Sequence, residues 1–330
     1  MPEGLHRFLI TGAKGFIGAW IVKNLVERGD APIVLDVDTQ MNRLEALLSP
    51  EQLASVKFVQ GDVTSLEDVE RCVADDGISH IIHLAALQVP ACAANPLLGA
   101  KVNVIGTLNI FEAARRRRDM VQRIAYASSA AVFGPEEFYG EGTVREGAQL
   151  LPGTHYGVFK QCNEGNARVY YLNDGISSVG LRPWAVYGVG RDQGITSGPT
   201  KAMKASVVGR PYTVKFTGQI DLQYVDDCAR IFLRCAEDDL PGARTYTLRG
   251  AVVNIADFIS KLEEIYPRAR GLIRIEGKHL PIAADLDDSA LVRDLGHVPR
   301  TPLDEGIRRT IEILERLQRQ GRLDTTDLGT

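Results

Sequence analysis

Phe8-Leu9-Ile10-Thr11-Gly12-Ala13-Lys14-Gly15-Phe16-Ile17-Gly18 is the stretch on which the fold turns. Phe8–Thr11 is a short apolar run stopped by glycine, the pattern of a buried strand, and Phe16–Arg28 carries helical spacing. The glycines at 12, 15 and 18 sit at the hand-over between the two. There they permit a tight turn, close approach of backbone N–H groups to a pyrophosphate, and close helix–strand packing. The spacing is G-x-x-G-x-x-G rather than G-x-G-x-x-G, and a plain turn would also explain the glycines alone. The strand–turn–helix context favours phosphate binding.

Working outward, the same rhythm recurs. Pro32–Asp36, Val56–Gln60, His80–Leu84 and Arg123–Ser128 read as further buried strands. Met41–Leu48, Ser65–Ala74 and Pro96–Arg118 read as the helices between them, with Ser65 and Asp68 marking a helix start. This alternation predicts an α/β fold with a doubly wound parallel (Rossmann) sheet. Phe133–Gly153, rich in Gly, Glu and Pro, reads as a surface excursion. A helix over about Thr154–Asn173 and a strand Ser178–Arg182 restore the rhythm. After Gly188 shorter mixed elements follow. We therefore expect residues 1–187 to form the dinucleotide-binding domain and 188–330 a smaller mixed α/β substrate lobe, with 224–236 returning to the first domain. Pro302–Gln320 reads as a charged, surface-packed closing helix.

Composition narrows the function. The chain has 330 residues, with 38 basic against 42 acidic side chains, too nearly balanced for a nucleic-acid footprint. Its 45% hydrophobic and 24% charged residues are globular usage and argue against disorder. Arg115–Arg118 has two readings, a phosphate patch or cations at a helix C-terminus; the negative end of the helix dipole favours the second. Five scattered cysteines without Cys-x-x-Cys, and six histidines without ligand spacing, predict neither a disulfide scaffold nor a metal site. No secretory leader and no run of 18 apolar residues is found, so a cytoplasmic protein with no membrane partner is expected.

Several residues then fall where a dinucleotide would need them. Asp36 closes the second strand, 24 positions after Gly12, where a carboxylate can accept both ribose hydroxyls and repel a 2′-phosphate, the alternative being a solvated strand-end aspartate; with no Arg or Lys before Arg43, NAD is favoured over NADP. Gly61-Asp62-Val63 and Leu84-Ala85-Ala86-Leu87 close the third and fourth strands with mostly small residues. Tyr156 and Lys160, four apart, share one helix face. An ammonium beside a phenol stabilises phenolate and makes Tyr156 a general base for a substrate hydroxyl. Ser129 follows the fifth strand and would hold the reacting oxygen. No G-x-S-x-G elbow surrounds it, which argues against acyl transfer. Gln88, Trp184, Tyr187, Arg191 and Gln193 follow strand ends and are expected to face the substrate, with packing between lobes as the alternative.

The series Thr11–Gly18, Asp36, Gly61-Asp62-Val63, His83-Leu84-Ala85-Ala86, Asn103-Val104-x-Gly106-Thr107, Ser128-Ser129, Tyr156-x-x-x-Lys160 and Arg182-Pro183 resembles the extended short-chain dehydrogenase/reductases, and within them the NAD-dependent sugar epimerase/dehydratase group. The resemblance covers nearly all of the first lobe, with a weaker echo in Ala284-Asp285 through Leu295-Gly296 and Pro299. It implies Ser129, Tyr156 and Lys160 as the catalytic set. It implies Gly12, Gly15, Phe16, Ile17 and Gly18 at the pyrophosphate, Asp36 at the ribose, and Asp62 and Val63 at the adenine. Leu84, Ala85, Ala86, Asn103 and Pro183 would line the remaining groove, beside Tyr156 and Lys160. It further implies a homodimer through Pro96–Arg118 and Thr154–Asn173. Two departures matter. Ala130 and Ala131 stand where the family's dehydratases carry acids, which disfavours dehydration. Ile220 stands where its nucleotide-sugar epimerases carry an arginine for the diphosphate, which removes a charge-assisted contact. The expectation is therefore hydride transfer at a secondary alcohol of a sugar, sugar acid or related hydroxy compound. The alternatives are a UDP-sugar 4-epimerase and a non-catalytic NAD-binding regulator.

Overall fold

The computed structural model describes residues 6–329. Among these, the strands run β1 (Phe8–Thr11), β2 (Ile33–Asp36), β3 (Lys57–Gln60), β4 (His80–His83), β5 (Arg123–Ala127) and β6 (Ser178–Arg182). They continue as β7 (Ala185–Tyr187), β8 (Tyr212–Val214), β9 (Gln219–Tyr224), β10 (Ala243–Thr247), β11 (Ala251–Asn254) and β12 (Ile273–Ile275). Seven form one sheet in the order β10-β6-β5-β4-β1-β2-β3, every pair parallel. A three-stranded sheet β11-β9-β7 and a pair β12-β8 complete the molecule. This is the expected α/β fold, a Rossmann sheet with a smaller mixed lobe.

Alternate residues of each central strand point to opposite faces. Ile10, Val34, Ile82 and Ala125 enter the larger core with Trp20, Ile21 and Phe232. Leu9, Leu35, Ile81 and Ile124 enter a second core with Val69, Val73, Ile110 and Phe111. Both faces are thus covered by helices, which is why these strands read as continuous apolar runs instead of alternating ones. The crossover order reverses between β1 and β4, and the crevice outside their carboxyl ends is where a ligand fits.

The chain after 188 contributes to the main sheet in two places. Helix Val225–Glu237 packs against Phe16–Glu27 and against β4 and β5, and β10 pairs with β6. The β10 strand, Ala243–Thr247, has no counterpart in the sequence reading because its charged and polar residues give no apolar run.

Two local expectations need correction. Pro96–Arg118 is not one regular helix: Asn95 caps Pro96–Ala100 through Leu98 N–H (3.0 Å), Lys101–Ile105 is a π-helical turn, and Gly106–Arg116 resumes as α-helix. Phe133–Gly153 is not only a surface excursion. Phe133 and Val144 are buried with Ala283 and Leu286, and Val144 N–H donates to the Asp285 carbonyl (2.9 Å) while the Val144 carbonyl accepts from Asp287 N–H (2.9 Å). Its apolar partners lie far along the chain, beyond the reach of a periodicity reading. The closing helix, Leu303–Arg319, buries Ile307, Ile311, Leu314 and Leu317 on one stripe and keeps its charges outside.

Candidate functional site

A cavity of about 570 Å³ runs along the carboxyl ends of β1, β2, β4 and β5 and under the loops after β6 and β7. At one end lies the glycine turn. Gly12 has φ +69°, and a Cβ there would lie 2.6 Å from Ala85 N, so both the backbone sign and the close approach require glycine. A Cβ on Gly18 would lie 2.6 Å from Ala13 Cα, which explains the third glycine as helix packing. Helix Phe16–Glu27 begins at Gly15 without a side-chain cap and without an acid in its first turn. Its leading N–H groups and positive dipole end are therefore free for an anion.

Asp36 lines the same end. Its carboxylate accepts from the N–H groups of Lys14 (3.2 Å) and Asp38 (3.1 Å), which orients it at the strand end. Arg43 is fully engaged: Nη2 donates to both Asp192 oxygens (2.6 and 2.8 Å), Nη1 to Lys14 O (3.1 Å) and Nε to Gly190 O (3.0 Å). It is held away from the role of a 2′-phosphate receptor. Asp62, Val63, Leu84, Ala85 and Ala86 also face the cavity. These surfaces fit a dinucleotide: an uncapped helix start, a carboxylate, and walls where an added Cβ would collide.

At the other end Ser129, Tyr156 and Lys160 meet. Thr154 caps the helix His155–Asp174 through Gly157 N–H (3.1 Å), fixing the rotation that turns Tyr156 and Lys160 to the cavity. Lys160 Nζ donates to Ala127 O at the end of β5 (2.6 Å) and stands 5.5 Å from the Tyr156 ring centroid. Burial pushes the Lys160 ammonium down to about 8. Burial also pushes the Tyr156 phenol up, while the Ser129 hydroxyl and the Arg191 charge pull it back. The two shifts have one origin: burial takes water from each charged form.

Beneath them lies a polar network. The buried His83 ring bridges the Thr11 (2.6 Å) and Thr107 (3.1 Å) hydroxyls, and burial, with the Lys160 charge, pushes it down to about 3. It is neutral at physiological pH. Ser128 donates to Glu164 (2.5 Å), which also receives Arg182 in two bonds (2.8 and 2.7 Å).

The remaining residues singled out in the sequence divide. Gln88, Trp184, Arg191 and Pro183 line the cavity. Tyr187 does not: it is 1% exposed, against Tyr224 and under Gly306. Gln193 is exposed on its loop and lies outside the lining. Asn103 is buried behind the wall, its amide clamping Leu87 N–H (2.7 Å) and O (2.9 Å). Thr196 and Leu280-Pro281-Ile282 line the reacting end and escaped the sequence reading. They carry no motif, and only the folded chain brings them there. Among the described residues no cluster of His, Cys, Asp or Glu could hold a metal, and no helix is long and apolar enough to cross a membrane.

Comparison with known proteins gives the chain a family. Residues 8–256 match the model of the NAD dependent epimerase/dehydratase family. The UDP-glucose 4-epimerase of Mycolicibacterium smegmatis is 28% identical over 93% of this chain and 97% of its own. The UDP-glucose 4-epimerase of Thermus thermophilus, solved with NAD, is 26% identical with a TM-score of 0.78 over 93% of this chain and 98% of its own. An L-threonine 3-dehydrogenase of partial consensus sequence shares the fold, at 24% identity and a TM-score of 0.81 over 94% and 99% of the two chains.

Proposed function

Since the chain belongs to the NAD dependent epimerase/dehydratase family, we propose that it moves a hydride between NAD and a secondary alcohol of a sugar, sugar acid or related small hydroxy compound. The observation that carries this reading is the meeting of Ser129, Tyr156 and Lys160 in one cavity that runs on to the glycine turn. Gly12, Gly15, Phe16, Ile17 and Gly18 would hold the pyrophosphate, Asp36 the ribose, Asp62 and Val63 the adenine. Leu84, Ala85, Ala86 and Pro183 would line the remainder, with Asn103 holding the Leu87 backbone from behind. When bound, NAD supplies reversible hydride uptake.

The side chains do the rest. Tyr156 takes the hydroxyl proton and returns it in the reverse direction, and Ser129 holds the oxygen by a hydrogen bond. Lys160 stabilises the phenolate electrostatically from its fixed bond to Ala127 O. Release of the ketone makes a dehydrogenase, and retention with return of the hydride makes an epimerase. Screening sugars, sugar acids and UDP-sugars with NAD tests the reading. Accumulating NADH identifies the first outcome and an inverted product without net NADH the second. Tyr156→Phe with undiminished turnover would overturn the assignment.

The names of the relatives favour a second reading, UDP-sugar 4-epimerisation. Ile220 weighs against it, since it is buried on β9 and offers no cation for a diphosphate. Conversion of UDP-glucose to UDP-galactose would decide for it. We read residues 1–187 as the cofactor-holding domain and 188–330 as the substrate lobe, with 224–236 and the strand Ala243–Thr247 packed on the first. A homodimer through the two long helical segments fits the exposed Leu97, Ile105, Val158 and Leu172 and is measurable by light scattering.

A further inference from the structure

Arg191 is an unusual arginine in this molecule. It lines the cavity, yet among the described residues its guanidinium makes one hydrogen bond, Nη2 to the Thr196 hydroxyl (3.0 Å), and its Nε is buried with no partner. The adjacent carboxylate, Asp192, is committed to Arg43. Arg182, by contrast, is closed in two bonds on Glu164. Arg191 is part-buried, and its remaining N–H groups stand at the cavity without a carboxylate among the described residues, where a guest anion can meet them.

We infer that Arg191 receives a carboxylate carried by the substrate close to the carbinol, an inference that rests on the hydride-transfer reading and narrows it to hydroxy acids. Arg191 lines the same cavity as Tyr156, Gln88 and Thr196. The guanidinium carbon lies 5.8 Å from the centroid of the Phe16 ring, which sets it between the helix start and the Tyr156 end of the cavity. Across the gap stands Gln88: a Cβ on Gly194, at φ +95°, would run into Gln88 Oε1 and lie 3.0 Å from Arg191 Nη2. The bare glycine keeps that space open. A guanidinium presenting free N–H groups there matches a carboxylate, which accepts two bonds side by side. The cofactor's pyrophosphate is the other anion within the cavity, but the uncapped start of helix Phe16–Glu27 already serves it.

The test titrates the NAD-loaded protein, at constant ionic strength, with D-glycerate, L-tartrate and galacturonate and with their neutral counterparts glycerol, erythritol and galactose. Thermal shift reads binding, and intrinsic fluorescence gives the NAD dissociation constant. The acids raise Tm and the neutral compounds do not. Arg191→Met weakens the acids by about 10- to 100-fold while NAD affinity stays within about twofold, and Arg191→Lys recovers part of the loss. Equal behaviour of acids and neutral compounds, or no binding by either, overturns the inference. So does an equal loss of NAD affinity in Arg191→Met, which would make the pyrophosphate its ligand. Failure of the native protein to bind NAD would strike the hydride-transfer reading itself, and the acid-against-neutral comparison on the cofactor-free protein would still decide Arg191.

Discussion

The two ends of the cavity are built by opposite rules. The glycine end is mostly backbone: a helix start, strand termini and small residues, all supplied within the first 86 residues in the order in which the sheet is wound. The reacting end is made of side chains gathered from Gln88, Ser129, Tyr156, Arg191, Thr196 and the 280–282 segment. Backbone surfaces fit a group common to many reactions, whereas collected side chains fit one substrate. Changes at one end should therefore leave the other largely intact, and this separation can be broken experimentally.

The largest expected effect is at the reacting end. Tyr156→Phe removes the proposed proton acceptor and should lower turnover by roughly 10²- to 10⁴-fold, with NAD affinity within about twofold by fluorescence titration. A parallel loss of NAD would mean the ends are not separable. Next is the mirror experiment. Gly12→Val puts a β-branched side chain at positive φ against Ala85 N, costs about 1–3 kcal/mol in urea unfolding, and abolishes measurable NAD binding. A variant that still binds NAD would refute the close-approach argument.

Asp36→Asn should weaken NAD by roughly tenfold without conferring NADP binding, because Arg43 remains tied to Asp192. Adding Asp192→Ala releases Arg43, and the NADP-to-NAD affinity ratio should then rise. Trp184→Phe loses the indole bond to Ala283 O (2.7 Å), a term of about 1 kcal/mol, and should raise KM about fivefold with kcat and NAD binding unchanged.

The smallest effect is a pH limb. The Lys160 ammonium is held down to about 8 by burial, so its support of the phenolate fades and oxidation should fall as pH rises through that value. Lys160→Met should abolish that limb. The folded value for Lys160 lies below its usual 10.5, so between about 8 and 10.5 the unfolded chain binds more protons than the folded one. Stability of the cofactor-free protein should gain from this group as pH rises through that window. A gain in the opposite direction in urea titrations would show that Lys160 is not buried as a cation.

The same contrast explains what could be read in advance. Strand ends and glycines announce themselves locally, so Gly12, Asp36, Ala85 and the Tyr156–Lys160 pair were legible one after another. Tyr187 was misleading because the last residue of a strand points into the crevice or into the core according to one step of alternation, and here, closing β7, it turns inward beneath Gly306. Asn103 announced a cofactor contact but works from behind the wall, through Leu87. Leu280-Pro281-Ile282 could not be read at all, since pairing of Val144 with Asp285 and Asp287 is what carries the 280s to the site.

The π-helical turn at Lys101–Ile105 amounts to one surplus residue held inside an otherwise ordinary helix. Deleting a residue there would regularise the helix while rotating Asn103 by about 100° relative to the residues that follow, taking its amide away from Leu87. Length in this segment is therefore under tighter constraint than composition: substitutions at Lys101 are tolerable at the exposed surface, whereas a single-codon loss would slacken the Leu84–Gln88 wall, whose residues line the cavity.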